Sequence, residues 1–227
     1  MTGTGPAARR ADLAAAMRRL EALGLNAGSS GNASVRSGDG FLVTPSGVPP
    51  SRMTDADMVA MGHDGSWQGS AQQPPSSEWR MHGDILGRRP DISAVVHVHS
   101  VAATALACLD RDMPAFHYMV AVAGGASIRC APYATFGTAA LSEGVVAALE
   151  GRRACLMAQH GMVACGDSLD AAVALAVEVE RLADIYLRAL AVGPPAILGE
   201  AEMARVLEKF AAGYGYASAP QVRRRTP

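Results

Sequence analysis

A β-branched, apolar stretch that contains two histidines, residues 93–100, constrains the fold of this chain more than any other segment. It reads Ser-Ala-Val-Val-His-Val-His-Ser, which predicts a buried strand. Because alternate residues of a strand point to the same side, His97 and His99 should project together from a rigid backbone. The spacing favours a metal site, and the alternative is a pair of histidines held by hydrogen bonds in a polar cleft.

A third histidine, His160, stands in the sequence Ala-Gln-His-Gly after a second apolar run, residues 154–157. Three imidazoles on two strands, with one coordination position left over, are typical of a catalytic rather than a structural zinc site. Glu78, in Pro-Ser-Ser-Glu-Trp, begins a predicted helix. It is either a capping carboxylate or the proton acceptor of a metal-assisted reaction. The sequence therefore predicts a metalloenzyme.

The order of the predicted elements indicates the fold class. Hairpin signals come first, and after residue 74 the strands alternate with helices. Helices are expected near 7–23, 77–88, 101–109, 139–149, 169–190 and 200–210, and strands at 33–36, 41–44, 58–61, 93–99, 128–131 and twice within 154–165. We therefore expect an α/β fold: one domain, residues 7–212, with a mixed, largely antiparallel central sheet and helices on both faces. Residues 1–6 and 217–227 are predicted to be flexible tails.

The composition excludes several classes of partner. With 49% hydrophobic residues and a formal net charge of −1, the chain can bury a core and offers no basic stripe for nucleic acid. No apolar run is long enough to cross a bilayer, and the first ten residues lack a secretory signal. The cysteines lie in apolar contexts without a Cys-x-x-Cys pair, which predicts buried thiols and a cytoplasmic protein. They are Cys108, Cys130, Cys155 and Cys165.

The lysine content bears on the chemistry. Lys209 is the only lysine, and it lies in a charged helical stretch near the C-terminus. A Schiff-base mechanism requires a desolvated lysine, whereas this setting predicts an exposed one. Any carbonyl chemistry in this chain must therefore rely on a metal.

Three short loops are rich in glycine and serine, at 28–32, 44–47 and 76–77. Backbone N–H groups and hydroxyls in such loops bind phosphate well, especially at the start of a helix. The chain has no Walker lysine and no Gly-x-Gly-x-x-Gly that follows a strand, so a nucleotide is not expected.

Taken in order, these motifs form a recognisable set. They are Gly-Asn-x-Ser at 31–34, Thr-Pro-Ser-Gly at 44–47, Ser-Ser-Glu at 76–78, His-x-His at 97–99, His-Tyr at 117–118, Ala-Pro-Tyr-Ala-Thr-Phe-Gly at 131–137 and Gln-His-Gly at 159–161. The set resembles the class II aldolase/adducin family, and within it the L-fuculose-1-phosphate aldolases, over roughly residues 13–210.

The resemblance implies a role for each matching residue. His97, His99 and His160 match the zinc ligands, and Glu78 matches the carboxylate that holds the fourth position at rest and then acts as general base. Tyr118 matches a tyrosine that reaches the active site of a neighbouring subunit and protonates the aldehyde oxygen. The residues that match the phosphate-binding positions are Asn32, Ser46, Gly47, Ser76 and Ser77. A C-terminal substrate-site tyrosine of the family falls near Tyr214, with Tyr216 as the alternative.

The resemblance also implies an activity and an assembly. The expected reaction is reversible cleavage of a ketose 1-phosphate, either L-fuculose 1-phosphate or a 5-deoxypentulose 1-phosphate, to dihydroxyacetone phosphate and a small aldehyde. Zinc is the expected metal, although histidine ligands also suit manganese, iron, cobalt or nickel. The expected assembly is a fourfold homotetramer with active sites between subunits.

Two alternatives share the same scaffold. One is a related sugar-phosphate enzyme, namely a ribulose-phosphate 4-epimerase, a methylthioribulose-phosphate dehydratase or a sugar-acid-phosphate decarboxylase. The epimerases typically carry Ser-Ser-Asp where this chain has Ser-Ser-Glu, and they lack the His-Tyr pair, so Glu78 and Tyr118 favour the aldolase. The other is a non-catalytic adducin-like module, which the complete set of candidate metal ligands disfavours.

Overall fold

The computed structural model describes residues 5–68 and 73–213. Within these residues there are one eight-stranded sheet and six α-helices, five of which pack against the sheet, while the last packs on a short 3-10 helix, Tyr118–Ala123. The strands are β1 Asn32–Ser37, β2 Gly40–Val43, β3 Val59–Met61, β4 Trp67–Gln68, β5 Ala94–Val98, β6 Cys130–Ala131, β7 Ala154–Met157 and β8 Gly161–Gly166. The helices are α1 Pro6–Ala22, α2 Trp79–Arg88, α3 Val101–Ala107, α4 Ala139–Ala148, α5 Leu169–Val192 and α6 Glu200–Ala211.

The sheet has the strand order β4-β3-β2-β1-β5-β8-β7-β6. All neighbouring strands are antiparallel except β6 and β7, which are parallel. The predicted mixed, largely antiparallel sheet is therefore confirmed. Strand β5, which carries the first candidate ligand, lies in the interior of the sheet between β1 and β8, and this position holds its backbone rigidly on both sides.

Each face of the sheet has its own apolar core. On one face α1, α3 and α5 pack together, and β5 contributes Val96 and Val98. On the other face α2 and α4 pack together, and β5 contributes Val95. His97 alternates with Val96 and so lies on the α2–α4 side. The strand is buried along its whole length, as its β-branched sequence predicts.

Strand β1 places polar side chains on the same side as His97. Ala33 and Val35 enter the α1–α3–α5 core, so the alternating residues Asn32, Ser34 and Arg36 face α2. Arg36 donates to the carbonyl oxygens of Leu86, Arg89 and Ile92 at 2.6, 3.1 and 2.8 Å. These hydrogen bonds join the end of α2 to β1. They give the polar side chain of Arg36 partners on this face of the sheet, where it would otherwise face an apolar core.

Several smaller predictions can be compared with the structure. Cys155 and Cys165 are buried, but Cys108 is exposed and Cys130 is half-buried, so the prediction of four buried thiols is wrong for those two. Cys108 lies just beyond the last turn of α3, where the chain emerges from the core. Lys209 is exposed on α6, as predicted. Of the predicted tails, 1–6 and 217–227, residues 1–4 and 217–227 lie outside the described residues, and Pro6 is the first residue of α1.

In the part of the chain that the structure describes, no helix combines the length and the apolar character needed to cross a membrane.

Candidate active site

The three predicted ligands meet at one end of β5. His97 lies on the strand, His99 lies one residue beyond its end, and His160 lies in the turn that joins β7 to β8. The three ring centroids are 4.7 to 5.0 Å apart, and the candidate ligand nitrogens all lie within 4.8 Å of one another. Two of the three histidines therefore flank strands rather than lie within them, because the strands end where the site opens.

The hydrogen bond on the far side of His97 sets its tautomer. Nδ1 lies 2.9 Å from the carbonyl oxygen of Met162. A carbonyl only accepts, so Nδ1 carries the proton and donates it. In the neutral ring the lone pair is then on Nε2, which faces the other two histidines. This is the arrangement by which a backbone carbonyl orients a metal-binding imidazole.

Glu78 completes the cluster from the start of α2. Its Oε2 lies 3.2 Å from Nε2 of His97, and its Oε1 lies 3.4 Å from Nε2 of His160. Glu78 immediately precedes the helix and makes no capping hydrogen bond. The alternative interpretation of this residue as a simple capping carboxylate is therefore wrong, because its side chain turns toward the histidines instead.

The charge state of Glu78 follows from its neighbours. Burial opposes the ionisation of Glu78. Without a metal ion, Glu78 raises the pKa of His97 despite the burial of that ring, and the protonated imidazole and the amide of Asn32 hold the pKa of Glu78 below its usual range. A bound metal would take the place of the proton on Nε2 of His97. The Nδ2 atom of Asn32 donates to Oε2 at 2.9 Å. Glu78 is therefore an ionised carboxylate that accepts hydrogen bonds, which suits both a metal ligand and a base.

The two more open histidines are neutral at physiological pH. Burial, followed by the charges of His97 and His160, lowers the pKa of His99 to about 4. Burial and the charge of His97 lower the pKa of His160 as well. Neutral imidazole is the form that binds metals, so neither ring has to lose a proton at pH 7 before it can act as a ligand.

The donor set fits a divalent transition metal. Three imidazole nitrogens and one carboxylate converge, and the Oε1 atom of Glu78 is buried without a hydrogen-bond partner. An unpartnered buried carboxylate oxygen is costly unless a cation or donor satisfies it. A metal held by His97, His99, His160 and Glu78 would satisfy it.

Small residues and strained backbone bring His160 into place. Gly161 has no room for a side chain, since a Cβ atom there would lie 2.5 Å from the carbonyl oxygen of Val98. The preceding residue, Gln159, adopts a φ of +51°, which is uncommon for a residue other than glycine. Such backbone strain is found mostly where the surrounding structure enforces it at a functional site. The turn is thereby drawn close against the end of β5.

A cleft of about 350 Å³ opens beside the histidines. All five residues predicted to bind phosphate line it: Asn32, Ser46, Gly47, Ser76 and Ser77. The loops that carry them are joined by an antiparallel bridge between Pro45 and Pro75, with Ser46 N bonded to Pro74 O at 2.9 Å. Two loops that are distant in sequence therefore form one wall rich in serine residues next to the candidate metal ligands.

Asn26, which belongs to none of the sequence motifs, also contributes to the site. Its Oδ1 accepts from the backbone N–H of His99 at 3.1 Å. Its amide also lies against Gly31, where a Cβ atom would come within 2.4 Å of it, and Gly31 has a φ of +74°. Asn26 thus ties the glycine-rich loop to the candidate ligand His99. The Gly-Leu-Asn sequence alone gives no signal of this contact.

Two aromatic residues form the outer wall of the cleft. Tyr133 and Phe136 line it while remaining 63% and 65% exposed. Their loop rests on Ser77, whose carbonyl oxygen would lie 2.8 Å from a Cβ atom at Gly137. The Ala-Pro-Tyr-Ala-Thr-Phe-Gly motif therefore supplies an apolar surface next to the polar wall, a role that could not be predicted from its sequence alone.

Tyr118 does not line this cleft. It begins a short 3-10 helix, is 41% exposed, and stacks on His117 with ring centroids 4.8 Å apart. It borders a separate groove shared with α6. Within one chain the structure therefore does not bring Tyr118 to the histidines. Tyr214 and Tyr216 lie outside the described residues.

Comparison with known proteins gives consistent results. The family model described as the class II aldolase and adducin N-terminal domain matches residues 11–187. A 5-methylthioribulose-1-phosphate/5-deoxyribulose-1-phosphate aldolase of Rhodospirillum rubrum is 56% identical over 203 residues, covering 89% of this chain and 91% of the relative. An L-fuculose phosphate aldolase of Escherichia coli (strain K12) is 51% identical over 189 residues, covering 83% of this chain and 87% of the relative.

A solved structure titled L-fuculose 1-phosphate aldolase superposes with a TM-score of 0.86 at 39% sequence identity. The superposition covers 89% of this chain and 96% of the other. The shared fold thus extends over nearly all of the described residues.

Proposed function

Because the chain belongs to the class II aldolase and adducin N-terminal domain family, we propose that it is a metal-dependent aldolase of ketose 1-phosphates. The reaction is reversible cleavage to dihydroxyacetone phosphate and a small aldehyde. The observation that carries the proposal is the convergence of three imidazoles and Glu78 beside a cleft lined with serine residues. The names of the relatives from Rhodospirillum rubrum and Escherichia coli support an aldolase over the epimerase, dehydratase and decarboxylase alternatives.

His97, His99 and His160 would hold the metal, with Glu78 as the fourth ligand before substrate binds. We favour zinc, since three histidines with one exchangeable position match its catalytic sites. When bound, a divalent metal supplies Lewis-acid stabilisation for negative charge on the substrate oxygens, typically several kcal/mol.

Glu78 is the base of the proposed reaction. In the synthetic direction its carboxylate removes a carbon-bound proton from dihydroxyacetone phosphate, and in cleavage it returns that proton. Its ionised state, which follows from the contacts with His97 and Asn32, prepares it to accept the proton. The cleft begins at this carboxylate, so substrate can reach it without rearrangement of the core.

The phosphate group would bind at the polar wall of the cleft. Ser46, Gly47 and Ser77 are exposed there, and Ser76 is buried with its Oγ accepting from the N–H of Glu78 at 3.3 Å. Asn32 lies at the junction of this wall and the metal ligands. A phosphate held there would place the ketone end of the substrate next to the histidines.

The aromatic wall favours a particular class of sugar. Tyr133 and Phe136 present apolar surface in the cleft beside the polar wall. Contact between an exposed apolar surface and another apolar group is favourable, because both surfaces are removed from water. We therefore propose substrates whose far end is a methyl or methylthio group, such as L-fuculose 1-phosphate, 5-deoxyribulose 1-phosphate and 5-methylthioribulose 1-phosphate.

The first prediction concerns the reaction itself. Purified protein should release dihydroxyacetone phosphate from L-fuculose 1-phosphate or 5-deoxy-D-ribulose 1-phosphate, as measured by coupled reduction of the product. Treatment with a chelator should abolish release, and added Zn²⁺ should restore it, because the metal ion held by the cluster would be the only electrophile in the proposed mechanism. Protein that holds stoichiometric metal and releases nothing from either substrate would refute the assignment.

Tyr118 would act in the cleft of a neighbouring subunit. Since it lies outside the cleft of its own chain, it can donate a proton to the aldehyde oxygen only across an interface. On this basis we propose active sites between subunits and assign the groove around Tyr118 to the interface. The fourfold homotetramer is the assembly that the family resemblance implies.

Complementation tests this arrangement. Tyr118→Phe and Glu78→Gln are each expected to lower kcat by at least 10²-fold, the usual contribution of a general acid or base. If the two residues act across an interface, tetramers reassembled from an equal mixture contain some sites with both native residues. Statistical mixing predicts that roughly a quarter of wild-type activity returns. Activity no higher than the mean of the two variants would place Tyr118 outside the site.

A further inference from the structure

A row of buried polar groups leads from the sheet to Glu78, and His82 stands in its middle. His82 lies on α2, one turn after Glu78, and its side chain is fully buried. One ring nitrogen lies 2.7 Å from Oγ of Ser34, and the other contacts Oδ1 of Asn32. Asn32 in turn donates to Glu78. Among the described residues, neither the sequence motifs nor the proposed reaction gives His82 a role.

The direction of each hydrogen bond in this row is determined. Oδ1 of Asn32 can only accept, so Nε2 of His82 must carry the proton and donate it. Nδ1 then has a lone pair, which accepts from the hydroxyl of Ser34. Burial, with the charge of His97 acting in the same direction, lowers the pKa of His82 to about 3. The ring therefore stays neutral and keeps a single tautomer at physiological pH.

The tautomer of His82 determines which way the amide of Asn32 is oriented. With Oδ1 occupied by His82, the amide must present an N–H to Oε2 of Glu78, at 2.9 Å. The opposite orientation would place the amide oxygen against the carboxylate, and both groups are acceptors. In a buried site such an unmade hydrogen bond is expensive, because no water replaces it.

We propose that His82 is a positioning residue that fixes the amide orientation of Asn32 and so holds Glu78 among the metal ligands. The inference rests on the proposed function, since Glu78 is the residue it serves. His82 touches neither the metal cluster nor the cleft, and its effect passes entirely through Asn32.

A matched pair of variants separates hydrogen bonding from packing. His82→Gln and His82→Met have side chains of nearly the same length and shape, but only the glutamine amide can donate to Asn32. Apoprotein of each variant is titrated with Co²⁺ alone, and binding is followed by the visible absorption of the metal. Replacement of a residue that orients a ligand typically costs 10- to 100-fold in metal affinity. We expect that loss for methionine and a change of less than about threefold for glutamine. Equal losses in both variants would overturn the proposal.

A double-mutant cycle tests whether His82 acts through Glu78. In a Glu78→Gln background the new amide can offer either an N–H or an oxygen to Asn32, so the orientation of Asn32 no longer matters. His82→Met should then cost less than about threefold in Co²⁺ affinity beyond Glu78→Gln alone. A full, additive loss in that background would indicate a merely structural role.

NMR tests the tautomer of His82 directly, and the cobalt titration keeps the test independent of catalysis. In protein labelled with ¹⁵N-histidine, the NMR signal of His82 is the one that is present in the wild type and absent from His82→Gln. We expect it to show a neutral ring protonated at Nε2. A ring protonated at Nδ1 would overturn the proposal. Cobalt binding requires no turnover. If the double-mutant cycle shows coupling between His82 and Glu78 but the protein catalyses no aldol cleavage, only the proposed function is refuted. If the protein catalyses cleavage but the effects in the cycle are additive, only the role of His82 is refuted.

Discussion

Replacement of Glu78 by glutamine is expected to lower kcat for aldol cleavage by about 10³-fold while the protein remains folded. The carboxylate is the only acidic side chain among the described residues that line the cleft. Removal of a general base usually costs 10² to 10⁴-fold in rate. The substitution should lower kcat by a larger factor than it changes KM, because it affects proton transfer and leaves the polar wall proposed to bind phosphate intact.

The glutamine variant isolates chemistry from structure. Its side chain has the same shape as that of glutamate, and its amide can form a hydrogen bond with Asn32 in either orientation. Packing around this buried position should therefore survive, as circular dichroism and thermal unfolding can verify. What the variant loses is the negative charge beside His97 and His160, together with the capacity to accept a proton.

A half-reaction provides the decisive measurement. Exchange of a carbon-bound proton of dihydroxyacetone phosphate with D₂O, followed by NMR, reports on the base without any aldehyde present. We expect exchange to fall in parallel with kcat. Glu143→Gln, which removes an exposed carboxylate on α4, is the matched control and should retain wild-type rates. Exchange in Glu78→Gln above about a third of the wild-type rate would assign the base elsewhere.

The architecture follows from local patterns in the sequence. Alternating and continuous apolar runs predicted the strands. Pro74-Pro75 marked the boundary between the first hairpins and α2, and Gly193-Pro194 marked the break between α5 and α6. The spacing of His97 and His99 predicted a shared face because strand geometry alone determines it. That part of the site was therefore readable before any tertiary contact was known.

The rest of the site depends on contacts between distant segments. Asn26, Ser34 and His82 are ordinary polar residues in the sequence, and each acquires its function from the partner that the fold brings to it. The most informative case is β1, where Asn32, Ser34 and Arg36 alternate with Ala33 and Val35. That pattern normally predicts a strand with one face in water, but here α2 covers the polar face and supplies its partners.

Glu78 illustrates how local reasoning fails at a functional position. A carboxylate at the start of a helix is favoured there by the helix dipole, so capping was a reasonable alternative. The structure instead directs its side chain to two histidines that follow it by 19 and 82 positions. The acidic side chain at the helix terminus is thus explained by tertiary contacts, and propensity alone could not distinguish the two interpretations.

Replacement of His99 by alanine is expected to abolish stoichiometric metal binding and to lower kcat/KM by at least 10³-fold. His99 is only half-buried, so its removal leaves no large cavity in the core. By contrast, His97 is fully buried and bonded to Met162, and its loss would also destabilise the fold. His99 is therefore the ligand whose removal best separates loss of metal from loss of structure.

Metal binding should appear as a difference in stability. A ligand at 100 times its Kd stabilises the folded state by about 2.7 kcal/mol, and one at its Kd by only about 0.4 kcal/mol. If His99→Ala weakens Zn²⁺ binding by 100-fold or more, the same Zn²⁺ concentration should raise its free energy of unfolding by no more than about 0.4 kcal/mol. Urea unfolding with and without Zn²⁺ measures both values.

His63→Ala removes an exposed histidine far from the cluster in sequence and outside the cleft, so it should keep the full wild-type increment. A full increment in His99→Ala would mean that the metal binds without this residue and that the predicted three-histidine site is wrong.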